Sequence, residues 1–149
     1  MIEITPLRPD DRAAWQPLAV GYNTFYERTL PGATYDHVWR RLMDGKELNG
    51  LAARLGGRVV GIAHFFFHTN VWVDEVCYLA DLFVDEEVRG QGAARLLIEA
   101  IAERARQRGC QRYYWLTQQH NIRARGLYDQ VARFAGFIRY DYPLNVPSS

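Results

Sequence analysis

A turn rich in small residues is the part of the sequence best suited to chemistry. It reads Arg89-Gly90-Gln91-Gly92-Ala93-Ala94, follows an apolar strand pattern and opens a helical one. Small side chains leave backbone N–H groups uncovered at the helix N-terminus, where unpaired amides and the positive end of the helix dipole favour an anion. The glycines could serve the turn alone, but the full helix that follows favours phosphate binding. The turn therefore predicts a site for a diphosphate.

An aspartate interrupts the most apolar strand pattern of the chain. Asp81 directly follows the continuous apolar run at residues 76–80. A carboxylate is costly to bury without a partner. Asp81 therefore either faces a wet cleft, which we favour, or is neutralised by a structural partner such as Arg112.

Two polar residues share one face of the last predicted helix. Asn121 and Tyr128 are seven residues apart, which corresponds to two helical turns. Asn121 is also a suitable N-cap, and we weigh that role equally with a role in binding. Tyr128 could be a core aromatic beside Leu127 and Val131, but its register with Asn121 favours a role in the site.

Hydrophobic periodicity predicts the elements that position these residues, in the order β-α-α-β-β-β-α-β-α-β. Strands are predicted at residues 2–5, 51–55, 59–68, 74–84, 112–117 and 137–144, with Gly56-Gly57 as a hairpin turn. Helices are predicted to begin at Asp10 or Asp11, at Thr34, at the small-residue turn and at Asn121, and to end near Glu27 and at Gly45, Gly109 and Gly136. Pro17 kinks the first helix or marks a later start.

The alternation of strands and helices predicts an α/β fold of the mixed α+β kind. We expect one mixed, mainly antiparallel sheet of about six or seven strands, flanked on both faces by about four helices. The apolar face of the third helix is predicted to contain Ala94, Leu97, Ile98, Ile101 and Ala105.

Three segments resemble the GNAT superfamily of N-acetyltransferases. They are LADLFVDEEVRGQGAARLL, YWLTQQHNIRARGLYDQVA and GFIRYDY, and the first contains the R/Q-x-x-G-x-G/A signature. The resemblance covers nearly the whole chain and is strongest to the polyamine (diamine) acetyltransferases and the yeast histone/D-amino-acid acetyltransferase branch. It implies a single GNAT domain over residues 1–149, central strands that splay apart, and acetyl-CoA as cosubstrate.

The resemblance also implies roles for individual residues. The amides of residues 89–94 would take the pyrophosphate of acetyl-CoA. The backbones of Leu82, Phe83 and Val84 would bind pantetheine, with an N–H near Leu82 directed at the thioester oxygen. Asn121 would contact pantetheine, and Tyr128 would give a proton to the departing thiolate, since a phenol with its ordinary pKa of about 10 is protonated at neutral pH.

The sequence departs from the family pattern at the residues that would accept the proton of the amine. The polyamine enzymes have a Glu-Asp pair where this chain has Ala80-Asp81. Asp81, directly or through a water, is the first candidate for the general base, and Glu27, Glu75 or a water chain are the alternatives. Tyr26, Glu27 and Trp39, from the first two helices, are weaker candidates for binding the acceptor.

Composition restricts the classes of function. A length of 149 residues, 48% of them hydrophobic, suits one domain, and a net charge of +1 argues against nucleic acid or an anionic membrane as partner. We find no signal peptide, no membrane span and no metal-ligand spacing, and we read His64, His68 and His120 as surface or packed imidazoles. Cys77 and Cys110 are expected to be reduced, which suits the cytoplasm.

These observations together predict an acetyl-CoA-dependent N-acetyltransferase that acts on a primary amine by direct attack in a ternary complex. A small amine or amino acid is the favoured acceptor, and a protein lysine, such as one in a histone, is the alternative. The rival from another class is a non-catalytic acyl-CoA-binding regulatory module. A homodimer formed through the last strand, with Tyr140, Tyr142 and Pro143, is also expected, followed by a tail at Pro147-Ser148-Ser149.

Overall fold

A computed structural model describes residues 1–145 of the chain. The predicted tail Pro147-Ser148-Ser149 lies outside the described residues. The chain forms two compact units, Met1–Leu116 and Thr117–Ser149, which are described separately below. The single domain over residues 1–149 stays a prediction.

The first unit contains a five-stranded sheet with three helices. Its strands are β1 (Ile2–Pro6), β2 (Asn49–Leu55), β3 (Arg58–Thr69), β4 (Glu75–Val84) and β5 (Tyr113–Tyr114), and its helices are α1 (Arg12–Phe25), α2 (Gly32–Asp44) and α3 (Ala93–Gln107). The strand order is β1-β2-β3-β4-β5, with antiparallel pairing from β1 to β4 and parallel pairing of β4 with β5. The prediction of a mixed, mainly antiparallel sheet is confirmed.

The helices cover the sheet on both faces. Trp15 and Leu18 of α1 and Leu42 of α2 pack with Ile62 of β3 in one buried cluster. Helix α3 packs on the other face through its buried residues Ala93, Leu97, Ile98, Ile101 and Ala105. The helical stripe was therefore predicted well, except that Ala93 replaces Ala94 as its first buried residue.

Glycines with positive φ end two elements where the sequence predicted them. Gly56 and Gly57, with φ of 60° and 80°, form the turn between β2 and β3. Gly45 adopts φ 68° directly after α2.

The predicted N-cap position is right for the first helix and wrong for the second. Helix α1 begins at Arg12 with Asp11 as its N-cap residue, but the Asp11 carboxylate makes no capping hydrogen bond to this helix and is bound by Arg54 instead. Helix α2 begins at Gly32 after Pro31, so Thr34 lies inside its first turn. Pro17 also lies inside its helix, because α1 continues through it to Phe25.

The strand count is lower than predicted. β5 contains only Tyr113–Tyr114, whereas the apolar pattern predicted residues 112–117. Residues 137–144 form no strand in the described part of the chain. A strand exists only where a neighbour accepts its hydrogen bonds, and residue patterns along one segment do not reveal that neighbour.

Strands β4 and β5 separate soon after they meet. β4 pairs with β5 only at Cys77–Tyr113 and Tyr78–Tyr114, although β4 continues to Val84. Its other edge pairs with β3 along its whole length. Among residues 1–145, the edge of β4 on the β5 side therefore has no strand partner at residues 79–84, which confirms the predicted splay.

The second unit contains one helix, α4 (Ile122–Val131), in its described part. Asn121 is its N-cap, and its side-chain oxygen accepts a hydrogen bond from the Ala124 N–H at 3.3 Å. The helix ends at Val131, five residues before the predicted stop at Gly136.

A buried ion pair ties the start of α1 to the sheet. Two nitrogens of Arg54 donate to the Asp11 carboxylate at 2.6 and 3.0 Å, and Arg54 Nε donates to Thr5 Oγ1 at 2.8 Å. The side chains of Arg54 and Asp11 are only 11% and 8% exposed. The hydrogen bonds from Arg54 hold the pKa of Asp11 below its ordinary value.

We expect Asp11→Asn to lower the free energy of unfolding by about 3–5 kcal/mol at neutral pH, because it leaves the Arg54 charge buried without its counterion. The contribution of Asp11 is fully present above its unfolded-state pKa of about 3.9 and is lost as pH falls through the lower folded-state pKa. Urea unfolding at several pH values measures both effects. Asp10→Asn, at the exposed neighbouring aspartate, is the control, and equal losses in the two variants would contradict the prediction.

Candidate active site

The small-residue turn has the geometry that the sequence predicted. Gly90 and Gly92 adopt φ of 85° and 88°, and Gly92 is the N-cap of α3. The first hydrogen bond of the helix runs from the Leu96 N–H to the Gly92 carbonyl at 3.0 Å. No acceptor within residues 1–145 takes the amides of residues 90–95. A row of free donors therefore surrounds the positive end of the α3 dipole.

The Arg89 side chain points back toward the sheet. Its Nε donates to the Val84 carbonyl at 3.2 Å, and its guanidinium lies 5.5 Å from the centre of the Phe83 ring. These contacts tie the turn to the end of β4. An anion would therefore be bound by the backbone amides of the turn, which include those of Gln91, Ala93 and Ala94.

A bulge in β4 places Asp81. His64 of β3 pairs with Asp81, and Phe65 pairs with Leu79, so Ala80 has no residue opposite it. A bulged residue shifts the alternation of side chains along a strand. Asp81 consequently lies on the face that packs against α1.

Asp81 is the end of a hydrogen-bonded chain of three side chains. The Trp15 indole N–H donates to His64 Nε2 at 2.9 Å, and His64 Nδ1 lies 2.8 Å from Asp81 Oδ2. Indole is a donor only, so Nε2 must present its lone pair and Nδ1 must carry the proton that is donated to Asp81. The chain therefore fixes the tautomer of His64 and the orientation of the carboxylate.

The electrostatics of this group favour an ionised Asp81. Burial raises the pKa of Asp81, but hydrogen bonds from His64 and Tyr22, and the charge of Arg28, outweigh it and hold the pKa below its ordinary value. For Tyr22, burial and then the neighbouring Asp81 carboxylate raise the pKa. The site thus combines a carboxylate with a phenol that keeps its proton.

Asp81 lies at a cavity of about 190 Å³ between α1, α2 and the sheet. Aromatic side chains make much of its wall, and its polar groups come from both helices and the sheet. The lining residues are Trp15, Ala19, Tyr22, Asn23, Arg28, Leu30, Thr34, Tyr35, Val38, His64 and Asp81. Asn23 Nδ2 donates to the Ala19 carbonyl at 3.1 Å and to Tyr35 Oη at 3.2 Å, which holds the wall in place.

The three weaker sequence candidates lie around this cavity and do not line it. Trp39 packs on Trp15 with ring centres 5.0 Å apart, and Tyr26 packs on Tyr22 at 5.1 Å. Glu27 adopts φ 57° in the turn that ends α1. The residues that do line it and that sequence reasoning missed are Trp15, His64 and Arg28. The signal available for His64 was its spacing of two residues from Ile62, which places both side chains on the α1 face of β3.

Other sequence candidates are occupied elsewhere. The Glu75 carboxylate is bound by Arg108 at 2.7 Å. The partner of Asp81 is His64, whereas Arg112 was the one suggested from the sequence. Cys77 is fully buried, and burial raises the pKa of its thiol to about 12. Since the thiolate is the nucleophile, Cys77 is unsuited to forming an acyl-enzyme at neutral pH.

Residues of the second unit are positioned by α4. Asn121 caps the helix, so the structural part of its predicted role is confirmed. Tyr128 lies in the second turn of the helix, and its carbonyl accepts a hydrogen bond from the Ala132 N–H at 2.8 Å.

Comparison with known proteins identifies the family. Residues 13–134 match the acetyltransferase (GNAT) family. The chain belongs to this family. The D-amino-acid N-acetyltransferase HPA3 of Saccharomyces cerevisiae is 35% identical over 135 residues, which cover 88% of this chain and 84% of that protein. A thialysine N-epsilon-acetyltransferase of Caenorhabditis elegans is 32% identical over 92 residues, covering 62% of this chain and 58% of that one.

A solved structure shows the same fold. The aminoglycoside N-acetyltransferase AAC(6')-Iy, in complex with CoA, superposes with a TM-score of 0.78 at 16% identity, covering 99% of this chain and 95% of that chain. The GNAT protein described here is accordingly an acetyl-transferring enzyme of mixed α/β fold, and the predicted branch, which includes the yeast D-amino-acid enzyme, is confirmed.

Within residues 1–145, no helix combines the length and apolar character needed to cross a membrane. The same residues contain no group of three or more His, Cys, Asp or Glu side chains placed to hold a metal ion.

We expect NMR of the imidazole nitrogens to show His64 with its proton on Nδ1. Trp15→Phe should release this restraint and, by leaving Nε2 buried without a donor, lower the free energy of unfolding by at least about 1–3 kcal/mol. Trp39→Phe removes a similar ring area without touching His64 and is the control. A proton on Nε2 in the wild type would contradict the hydrogen-bond assignment.

Proposed function

We propose that this protein transfers the acetyl group of acetyl-CoA to a primary amine of a small molecule, by direct attack in a ternary complex. The observation that carries the proposal is the position of Asp81. It lies at the aromatic cavity and on the segment of β4 whose other edge has no strand partner. An amine held in the cavity would thus be adjacent to a backbone edge able to bind an extended chain.

Residues near both ends of the open edge of β4 suit the binding of acetyl-CoA. The free amides of residues 90–95 suit a pyrophosphate, and a Cβ added to Gly90 or Gly92 would point into open space, so a ligand can approach closely. Leu82, Phe83 and Val84 pair with β3 on one side only and would bind pantetheine on the other. Bound acetyl-CoA supplies the acetyl thioester, and the N–H near Leu82 would stabilise negative charge on its oxygen.

Asp81 would bind the ammonium form of the amine and help it to lose its proton, directly or through a water. The alternatives are weaker in this structure. Glu75 is bound by Arg108, and Glu27 does not line the cavity. The ring faces of Trp15 and Tyr22 would add cation–π attraction for the ammonium.

Two residues of α4 complete the proposal through the family resemblance. Asn121 would contact pantetheine, and Tyr128 would protonate the departing thiolate. Support comes from the match of the family to residues 13–134, which include both positions.

The structure also bears on the size of the acceptor and on the location of the protein. The small volume of the cavity, about 190 Å³, favours a small amine over a protein lysine. Two cysteines without a disulfide support a cytoplasmic location.

A segment of exposed apolar and aromatic side chains supports a homodimer formed through it, which sedimentation would test. Its residues are Phe137, Ile138, Tyr140, Tyr142 and Leu144.

Calorimetry with acetyl-CoA, followed by a thiol-release screen with small amines, amino acids and a lysine peptide, tests the proposal. We expect binding, and release with a small amine. Gly92→Ala should weaken binding by at least about tenfold, because a side chain at φ 88° is strained and crowds the pyrophosphate. Gly109→Ala, at φ 77° beyond the other end of α3, carries the same strain without the ligand and is the matched control. Equal affinities in the two variants, or no binding by the wild type, would overturn the assignment of the turn.

Tyr128→Phe should lower kcat by about 100-fold or more while the affinity for acetyl-CoA stays unchanged, since only the proton donor is removed. Stopped-flow thiol detection and calorimetry measure the two quantities. Tyr140→Phe, at an exposed phenol of the same unit, is the control. Unchanged turnover in Tyr128→Phe would exclude this residue as the acid, and binding without turnover in the wild type would favour an acyl-CoA-binding module.

A further inference from the structure

The cavity contains two formal charges of opposite sign. Among its lining residues, Asp81 is the carboxylate and Arg28 is the guanidinium, while His64 is held by Trp15 in the tautomer described above. A cavity that would bind an amine through its carboxylate thus also presents a cation. A simple amine or a diamine has no group that matches this cation.

The turn after α1 places Arg28 at the cavity. The Glu27 N–H donates to the Thr24 carbonyl and the Arg28 N–H donates to the Asn23 carbonyl, both at 2.9 Å. This is a Schellman motif, in which the residue equivalent to Glu27 is usually glycine because its φ is positive. Glu27 occupies it with φ 57°, a conformation that is strained for a non-glycine residue. The backbone therefore holds Arg28 in position despite local strain.

The guanidinium of Arg28 is supported by aromatic faces and remains available to an anion. It lies 5.8 Å from the ring centre of Tyr22 and 5.7 Å from that of Tyr26. Within residues 1–145, no carboxylate lies within 4.0 Å of it, and its side chain is exposed at the mouth of the cavity. Arginine in such a setting binds a carboxylate through two parallel hydrogen bonds, and it can do so without first breaking an ion pair.

We infer that the acceptor is an amine that also carries a carboxylate, namely a small amino acid, with its ammonium at Asp81 and its carboxylate at Arg28. The inference rests on the proposed function, because it concerns the acceptor of that same cavity. The net charge of the two lining groups is zero and matches a zwitterion. A diamine would place its second ammonium against Arg28, and like charges at close range are unfavourable.

The test compares acceptors that differ only in the carboxylate. Both enantiomers of alanine, methionine and phenylalanine are each compared with the corresponding amide and the decarboxylated amine, with acetyl-CoA and the full-length protein. We expect kcat/KM for the best free amino acid to exceed that for its amide by about 10- to 100-fold, as for one charge-assisted pair. A wild-type enzyme that uses the amides or amines as well as the free acids would overturn the inference and leave the acetyltransferase proposal intact.

Variants of Arg28 test whether this residue causes the preference for a free amino acid over its amide. Arg28→Gln should raise KM for the free amino acid by about 10- to 100-fold with little change in kcat, and should leave the decarboxylated amine unaffected. Arg28→Glu should shift the preference toward a diamine such as cadaverine. Arg40→Gln removes one exposed arginine of α2 that does not line the cavity and is the matched control. Equal KM values for the free acid in Arg28→Gln and the wild type would show that Arg28 only packs on the tyrosines.

A binding measurement separates the two possible failures. Ligand-observed NMR of the same amino acid and its amide, with CoA present, needs no turnover. Binding of the free acid that is lost in Arg28→Gln supports the inference even if no thiol is released, in which case the proposed function alone fails. Equal binding of the free acid and its amide would refute the inference that Arg28 binds the carboxylate.

Discussion

The fold depends on a strand that is fully paired on one edge and left open on the other. β4 exchanges hydrogen bonds with β3 from Glu75 to Val84, but its parallel pairing with β5 stops at Tyr78. Unpaired backbone groups are costly where water cannot reach them and attract another extended chain where it can. The open edge also leads to the free amides before α3. The strand thus leaves backbone groups open at residues 79–84, and the free amides of the small-residue turn follow after a short 3₁₀ turn at Glu86–Val88.

The same strand provides the charged group of the site, and a bulge makes that possible. In a regular strand, with Ala80 paired, Asp81 would share a face with Leu79, which is buried. The bulge instead directs Asp81 toward α1, where it accepts a hydrogen bond from His64, whose other ring nitrogen accepts one from the Trp15 indole. The resemblance to the polyamine acetyltransferases implies a glutamate at the position of Ala80. In this chain the small residue Ala80 occupies the bulge, and Asp81 next to it is the carboxylate of the Ala80-Asp81 pair.

The parts of the structure that the sequence predicted are those set by neighbouring residues. The Gly56-Gly57 turn, the stripe of α3, the Asn121 cap and the turn at residues 89–94 all follow from local backbone preferences. The failures involve partners far along the chain. Asp11 is the N-cap residue of α1 as predicted, but its carboxylate is bound by Arg54, which lies 43 residues away. The bulge at Ala80, the hydrogen bond from Trp15 to His64 and the short β5 depend on register between segments, which one sequence does not contain.

The hydrogen bonds to Asp81 also limit what this carboxylate can do. Its pKa lies below the ordinary value, whereas a primary ammonium has a pKa near 10, so Asp81 is a much weaker base than the amine that it would face. Its stronger contribution is electrostatic, because an ionised and oriented carboxylate attracts and positions the ammonium. The proton must then leave to an acceptor outside the cluster. The Asp81 side chain is 33% exposed, so water can reach the carboxylate that, in the proposed function, would bind the amine. Complete burial would strengthen the attraction but would leave the proton without a path to solvent, and partial exposure is therefore the arrangement that serves the transfer.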